Sequence, residues 1–119
     1  MPFGDAATIP KPSWREAAAF LEQNMRPGDL AVVHLRAAQR LYDYYVHRPD
    51  VPRRGVDSPS LPVSLPLDGR RLWLVLYNAP NPANPFLAKA PLRIERRYRN
   101  EGLFILELTD EPAVMHKED

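Results

Sequence analysis

Asp29-Leu30-Ala31-Val32-Val33-His34-Leu35 is the stretch whose reading decides the fold. It leaves a Pro27-Gly28 turn and runs apolar for too few residues to make a helix. It therefore reads as a short strand buried on both faces. Upstream, Trp14, Ala17, Ala18, Leu21 and Met25 recur at helical spacing and define one apolar face. Ser13 and Glu16 form a capping box at the start of that helix, and Gly28 supplies a left-handed residue just past its end. Downstream, a second helix is expected from Ala37 to His47. Its apolar stripe is Ala38, Leu41, Tyr42 and Tyr45, with Val46 alongside, while Gln39, Arg40 and Asp43 face away. Pro49 closes it. Helix, buried strand and helix in close succession predict an α/β layered domain.

Further strands lie outward from this core. Arg71-Leu72-Trp73-Leu74-Val75-Leu76-Tyr77 carries the strongest strand signal and is entered through Asp68-Gly69. Leu92–Tyr98 reads as a charged edge strand, Asn100-Glu101-Gly102 as a turn, and Leu103–Leu108 as the last strand. The expectation is one small α/β domain over residues 13–110: a mostly parallel sheet of three or four strands with two helices packed on it. Residues 1–12 form an extended lead-in and 111–119 a polar tail. Most of the 14 prolines fall in two irregular connections, 48–69 and 79–91, with one helical turn expected at Phe86–Ala90.

Composition removes several function classes. The 119 residues have room for one compact domain, and 16 basic against 15 acidic side chains leave a net charge of +1. That balance argues against a nucleic-acid partner. The absence of cysteine excludes disulfides, thiol catalysis and zinc ribbons. The apolar runs are far short of the roughly 20 residues that span a bilayer, and the start lacks the pattern of a secretory signal. A cytosolic protein, or a soluble piece of a longer chain, is expected. No phosphate-binding loop or nucleophile elbow occurs, and His34, His47 and His116 lie far apart. No catalytic residue, cofactor or metal ligand is therefore assigned.

Two groups of side chains remain as candidates. Ligands of open α/β sheets bind beyond the carboxyl ends of strands, where His34 and Arg36 follow one strand and Tyr77 and Asn78 follow another. If those strands are parallel neighbours, the four converge in one crevice; otherwise they are ordinary strand-end residues. Arg93, Arg96, Arg97 and Arg99 form the densest basic run, either a site for an anionic partner or the solvated charge that guards a sheet edge. Arg53-Arg54 has the same ambiguity. Tyr42 and Tyr45 are expected in the core and Tyr44 nearer the polar side, with Trp14 and Trp73 as packing anchors.

An ordered set of short motifs spans residues 13–108. It comprises Ser13-Trp14-Arg15-Glu16-Ala17-Ala18-Ala19-Phe20-Leu21-Glu22, then Arg26-Pro27-Gly28-Asp29, an apolar strand, Leu41-Tyr42-Asp43-Tyr44-Tyr45 and Arg71-Leu72-Trp73-Leu74-Val75-Leu76. This order resembles the C-terminal soluble domain of membrane glycosyltransferases of the protein-mannosyltransferase-like superfamily. The resemblance implies an enzyme moving sugar from a polyprenyl-phosphate donor to a lipid, protein or glycan acceptor. It also implies an extracytoplasmic location, periplasmic or at the cell surface. The catalytic acid of such enzymes lies in their membrane portion, so no catalytic residue carries over to this chain. The implied partners are the membrane domain, in the same or a partner chain, and a glycan or lipid-linked acceptor. The matching Trp14, Gly28, Asp29, Tyr45 and Trp73 are implied to be fold determinants. Proline-rich 48–69 and 79–91 depart from the family pattern. The alternative is a stand-alone interaction or small-ligand-binding module.

Overall fold

The expected first helix is present as α1, Trp14–Asn24. In this computed structural model residues 14–57, 67–77, 91–100 and 102–111 are described. Ser13 lies outside them, and so does the expected capping box. Trp14, Ala17, Ala18 and Leu21 are buried along one face of α1, as their spacing requires. Its C-terminal carbonyls are met from a distance: Arg48 Nη1 donates to Glu22 O at 3.0 Å and to Met25 O at 2.8 Å. A guanidinium there satisfies orphan carbonyls and complements the negative end of the helix dipole.

Gly28 adopts φ 89°, the left-handed turn the sequence called for. The chain then enters β1, Leu30–His34, whose central residues are all buried. After β1 comes a 3-10 turn, Arg36–Ala38, and then α2, Gln39–Tyr45. The second helix is thus shorter than the expected Ala37–His47, because Val46 already has extended backbone. Tyr42 is buried, Tyr45 half-buried, and Tyr44 is 72% exposed.

Four more strands follow: β2 (Arg53–Val56), β3 (Leu72–Tyr77), β4 (Arg93–Asn100) and β5 (Leu103–Thr109). The sheet has five strands in the order β2-β1-β3-β5-β4. Two expectations are corrected here. The sheet is mixed rather than mostly parallel: β1 pairs parallel with β2 and β3, whereas β5 runs antiparallel to both β3 and β4. The hairpin through Gly102 (φ 90°) forces the β4–β5 pairing, since so short a connection can only join antiparallel strands. It also exceeds three or four strands, because 48–69 is not wholly irregular. Arg53-Arg54-Gly55-Val56 pairs with β1 despite carrying no apolar alternation. As an edge strand it tolerates the preceding Pro52, whose carbonyl accepts Ala31 N–H at 2.9 Å. The edge position expected for Leu92–Tyr98 is where β4 lies.

Both faces of the sheet are buried at the centre. On the helical face Ala31, Val33, Trp73, Val75 and Ile105 pack under α1 and α2. On the far face Val32, Leu72, Leu74, Leu76, Leu106 and Leu108 form a second cluster with Leu67. This explains the near-continuous apolar run of β3, which alternates between two dry faces.

Asp29 joins the two halves. Its carboxylate is 3% exposed and accepts three N–H groups: Arg26 N at 2.9 Å, Arg71 N at 3.0 Å and the Trp73 indole at 3.0 Å. A turn residue thereby fixes where β3 lies against β1. The Phe86–Ala90 turn expected from the sequence lies outside the described residues. Among the described residues, no helix is long and apolar enough to cross a membrane.

Candidate ligand groove beyond the parallel strands

The parallel pairing that the crevice required is present: His34 sits level with Leu76 of β3 and with Val56 of β2. The carboxyl ends of β1, β2 and β3 therefore share one end of the sheet. His34 and Tyr77 nevertheless do not meet across it. Strand alternation sends His34 to the far face with Val32 and Leu76, while Tyr77 packs on the helical face, its ring 6.0 Å from that of Trp14. Asn78 lies outside the described residues.

What the structure gathers instead is His34, Arg36 and a residue the sequence reading did not single out, Asp57. His34 Nε2 lies 3.2 Å from Asp57 O, and Arg36 N donates to Asp57 Oδ1 at 3.1 Å. The peptide bond between His34 and Leu35 is cis. Beside this corner, Gln39 Oε1 accepts the Gly55 amide at 2.9 Å. A Cβ at Gly55 would come 2.6 Å from Gln39 Oε1, the end of a flexible side chain, and 3.1 Å from the Arg36 backbone, so glycine lets the two elements approach without displacing either. The close approach seats the 3-10 turn directly on β2.

An open groove of about 510 Å³ runs outward from this corner, lined by Arg36, Ala37, Gln39, Arg40, Asp43 and Asp57. Its electrostatics separate by partner. Asp43 is engaged by both sides of the Arg53 guanidinium, at 2.6 and 3.0 Å, and that hydrogen bonding holds its carboxyl below the usual carboxylate range. Arg36 and Arg40 are one helical turn apart, and among the described residues neither guanidinium is engaged by a carboxylate. Chemically, the groove offers two planar cations that have no carboxylate partner among the described residues, beside Asp57, whose Oδ1 accepts the Arg36 amide. Such a set suits a phosphate ester bearing hydroxyls.

The basic run on β4 divides in two. Arg93 pairs with Glu95 at 2.8 Å. Arg96 lies with its Nε 3.0 Å from Glu107 Oε1, off-axis for a hydrogen bond. It also bonds Asn24 and sits over the Phe20 ring. Glu107 is buried and has Arg71 on its other side at 3.7 Å. Two members of the run are therefore structural. Arg97 and Arg99 are exposed and, among the described residues, have no carboxylate partner.

Arg53, ambiguous by sequence, is the clamp on Asp43, while Arg54 is exposed on the outer strand. Trp73 is fully buried and Trp14 nearly so, both as anchors. His47 hydrogen-bonds locally to Tyr44 O, and His116 lies outside the described residues. Among the described residues no three His, Asp or Glu side chains converge as a metal site. Sequence reading missed Asp57 and Arg40 as groove residues. The only signal for Asp57 was its place after a strand hidden among prolines.

No known protein family, curated protein or solved structure matches this chain.

Proposed function

We propose that this chain is a non-catalytic soluble domain of, or related to, a membrane glycosyltransferase using polyprenyl-phosphate sugar donors. Its role is to cap the membrane domain or to position the acceptor on the extracytoplasmic side. The observation that supports this reading is where the motif residues sit. Trp14 and Trp73 are core, Gly28 is the left-handed turn, Asp29 staples that turn to β3, and Tyr45 packs against the helical-face cluster. The residues that carry the sequence resemblance thus hold the fold together and leave the chemistry to another domain. The test combines gene context with topology. The reading frame around residue 1, or a neighbouring gene, should encode a polytopic membrane glycosyltransferase, and a reporter fused at residue 119 should be active on the extracytoplasmic side. A frame and neighbourhood without membrane segments, together with a cytoplasmic reporter, would overturn it.

A second reading, a small-ligand module, is favoured by Arg36 and Arg40 in their groove, neither paired with a carboxylate among the described residues. A ligand selective for the native state raises the melting temperature, its stabilisation growing with the logarithm of one plus the ratio of ligand concentration to Kd. Phosphate, pyrophosphate and nucleotide sugars should do so in the wild type and lose the effect in Arg36→Gln/Arg40→Gln. Equal shifts in both proteins, or none in either, would reject the groove.

A further inference from the structure

We propose that the outer edge of β4, from Arg96 to Arg99, receives an extended acidic segment of another protein as an added antiparallel strand, read by Arg97 and Arg99. β4 is the last strand of the sheet and pairs only with β5 among the described residues. Among the described residues, the outward backbone groups of Arg96 to Arg99 are a template for strand addition.

The side chains say what kind of strand fits. The register shifts between Ile94 and Arg96, so Glu95 is the extra residue of a bulge, and the phase of the strand inverts there. Ile94 belongs to the far-face cluster before the bulge. After it, Tyr98 turns to the helical face and stacks on Phe20 with ring centroids 4.6 Å apart. Arg97 and Arg99, flanking Tyr98, therefore both project on the far face. They stand about 6.7 Å apart, the repeat of alternate residues in any extended chain. Arg99 is held with its guanidinium 5.6 Å over the Phe104 ring, which fixes its direction before a partner arrives. The other two arginines of the run do not compete, being engaged by Glu95 and Glu107.

A second copy of this chain is the wrong occupant. Two β4 strands paired about a two-fold axis would set Arg97 against Arg97 or against Arg99, and like charges directly opposite each other oppose pairing. The same arrangement favours carboxylates at every second position of an incoming strand: acidic, any residue, acidic.

The experiment titrates the isotopically labelled chain with a ten-residue peptide carrying glutamate at alternate positions, its lysine counterpart, inorganic phosphate and anionic phospholipid vesicles. The expected result is shifts of the 96–99 amides with the glutamate peptide, absent with the lysine peptide and weakened by salt. Arg97→Glu/Arg99→Glu should lose at least ten-fold in affinity and prefer the lysine peptide, while Arg93→Gln stays within about two-fold. An unchanged thermal melt of each variant excludes unfolding as the cause. The proposal falls if the glutamate peptide leaves the β4 amides unmoved or if the double reversal binds it equally well. It falls equally if only phosphate or vesicles bind, or if the chain dimerises through β4.

Discussion

Asp29 Oδ2 accepts the indole N–H of Trp73 at 3.0 Å, a buried contact between residues 44 positions apart. The other oxygen takes the Arg71 amide from the same approach to β3. A side chain chosen to end one turn thereby sets the position of the central strand. Asp29→Ala leaves three donors without their acceptor and should cost about 3–5 kcal/mol. Asp29→Asn keeps one carbonyl acceptor and should cost less. Combined with Trp73→Phe in a denaturant-melt double-mutant cycle, the coupling should be about 1–3 kcal/mol. Additive losses would mean that the contact does not tie β1 to β3.

Gly55→Ala should destabilise the chain by about 1–3 kcal/mol. The new Cβ collides with Gln39 Oε1 and crowds the Arg36 backbone. Gln39→Ala relieves only the first of these and strands the Gly55 amide, so it should not restore the wild-type midpoint. Because the clash lies at the groove corner, amide shifts should centre on residues 36–40 and 53–57.

Tyr42 sets an alkaline limit. Burial, and secondarily the charge of Asp43, push its phenol well above the ordinary value near 10. The folded state keeps this proton while the unfolded chain releases it above pH 10. Its contribution is therefore complete below pH 10 and declines by about 1.4 kcal/mol per pH unit above it. Tyr42→Phe gives up only a long contact to Met25 Sδ at 3.9 Å. It should melt within about 1 kcal/mol of wild type at pH 7 and lose this part of the alkaline decline.

The Asp43–Arg53 pair sets a weaker acid limit with the opposite sign. Hydrogen bonding from Arg53 depresses the Asp43 carboxyl, so its stabilisation is present above the unfolded carboxylate range and lost as pH falls through the folded value. Both side chains are more than a third exposed, which limits the pair to a fraction of a kcal/mol. Arg53→Gln should shift the melting temperature by no more than a few degrees at pH 7, with the difference closing as the pH falls below the ordinary carboxylate range.

Glu107→Ala should be costlier than its exposed counterpart Glu95→Ala. Glu107 is 6% exposed between Arg71 and Arg96, and its removal takes the nearest carboxylate from both, leaving Arg71 the more distant Glu111 at 3.9 Å. A loss of about 3 kcal/mol is expected, against less than 1 kcal/mol at Glu95.

The parts of the fold legible in the sequence are those whose cause is local. Periodicity placed α1, and the long apolar runs placed β1, β3 and β5. A single turn residue marked Gly28 and Gly102. β2 was illegible because Arg53-Arg54-Gly55-Val56 has neither apolar alternation nor length; it is a strand because β1 offers it an edge. Strand-end logic placed His34 and Tyr77 at one end of the sheet, as the parallel register does, but it says nothing about which face each side chain takes, and so it joined Tyr77 to His34 on the opposite face. For the basic run, composition named four equivalent arginines.

The sequence alone determined an α/β domain with a buried central strand, because helix and strand periods are written residue by residue. Only the tertiary structure decided the mixed sheet and the meeting of Asp57 with Arg36. It also decided which arginines meet a carboxylate: Arg93 and Arg96 are held by Glu95 and Glu107, whereas among the described residues Arg97 and Arg99 have no such partner. The reason is physical. Strand direction, and the pairing of charges that lie far apart along the chain, depend on where the backbone returns, and no local propensity encodes that.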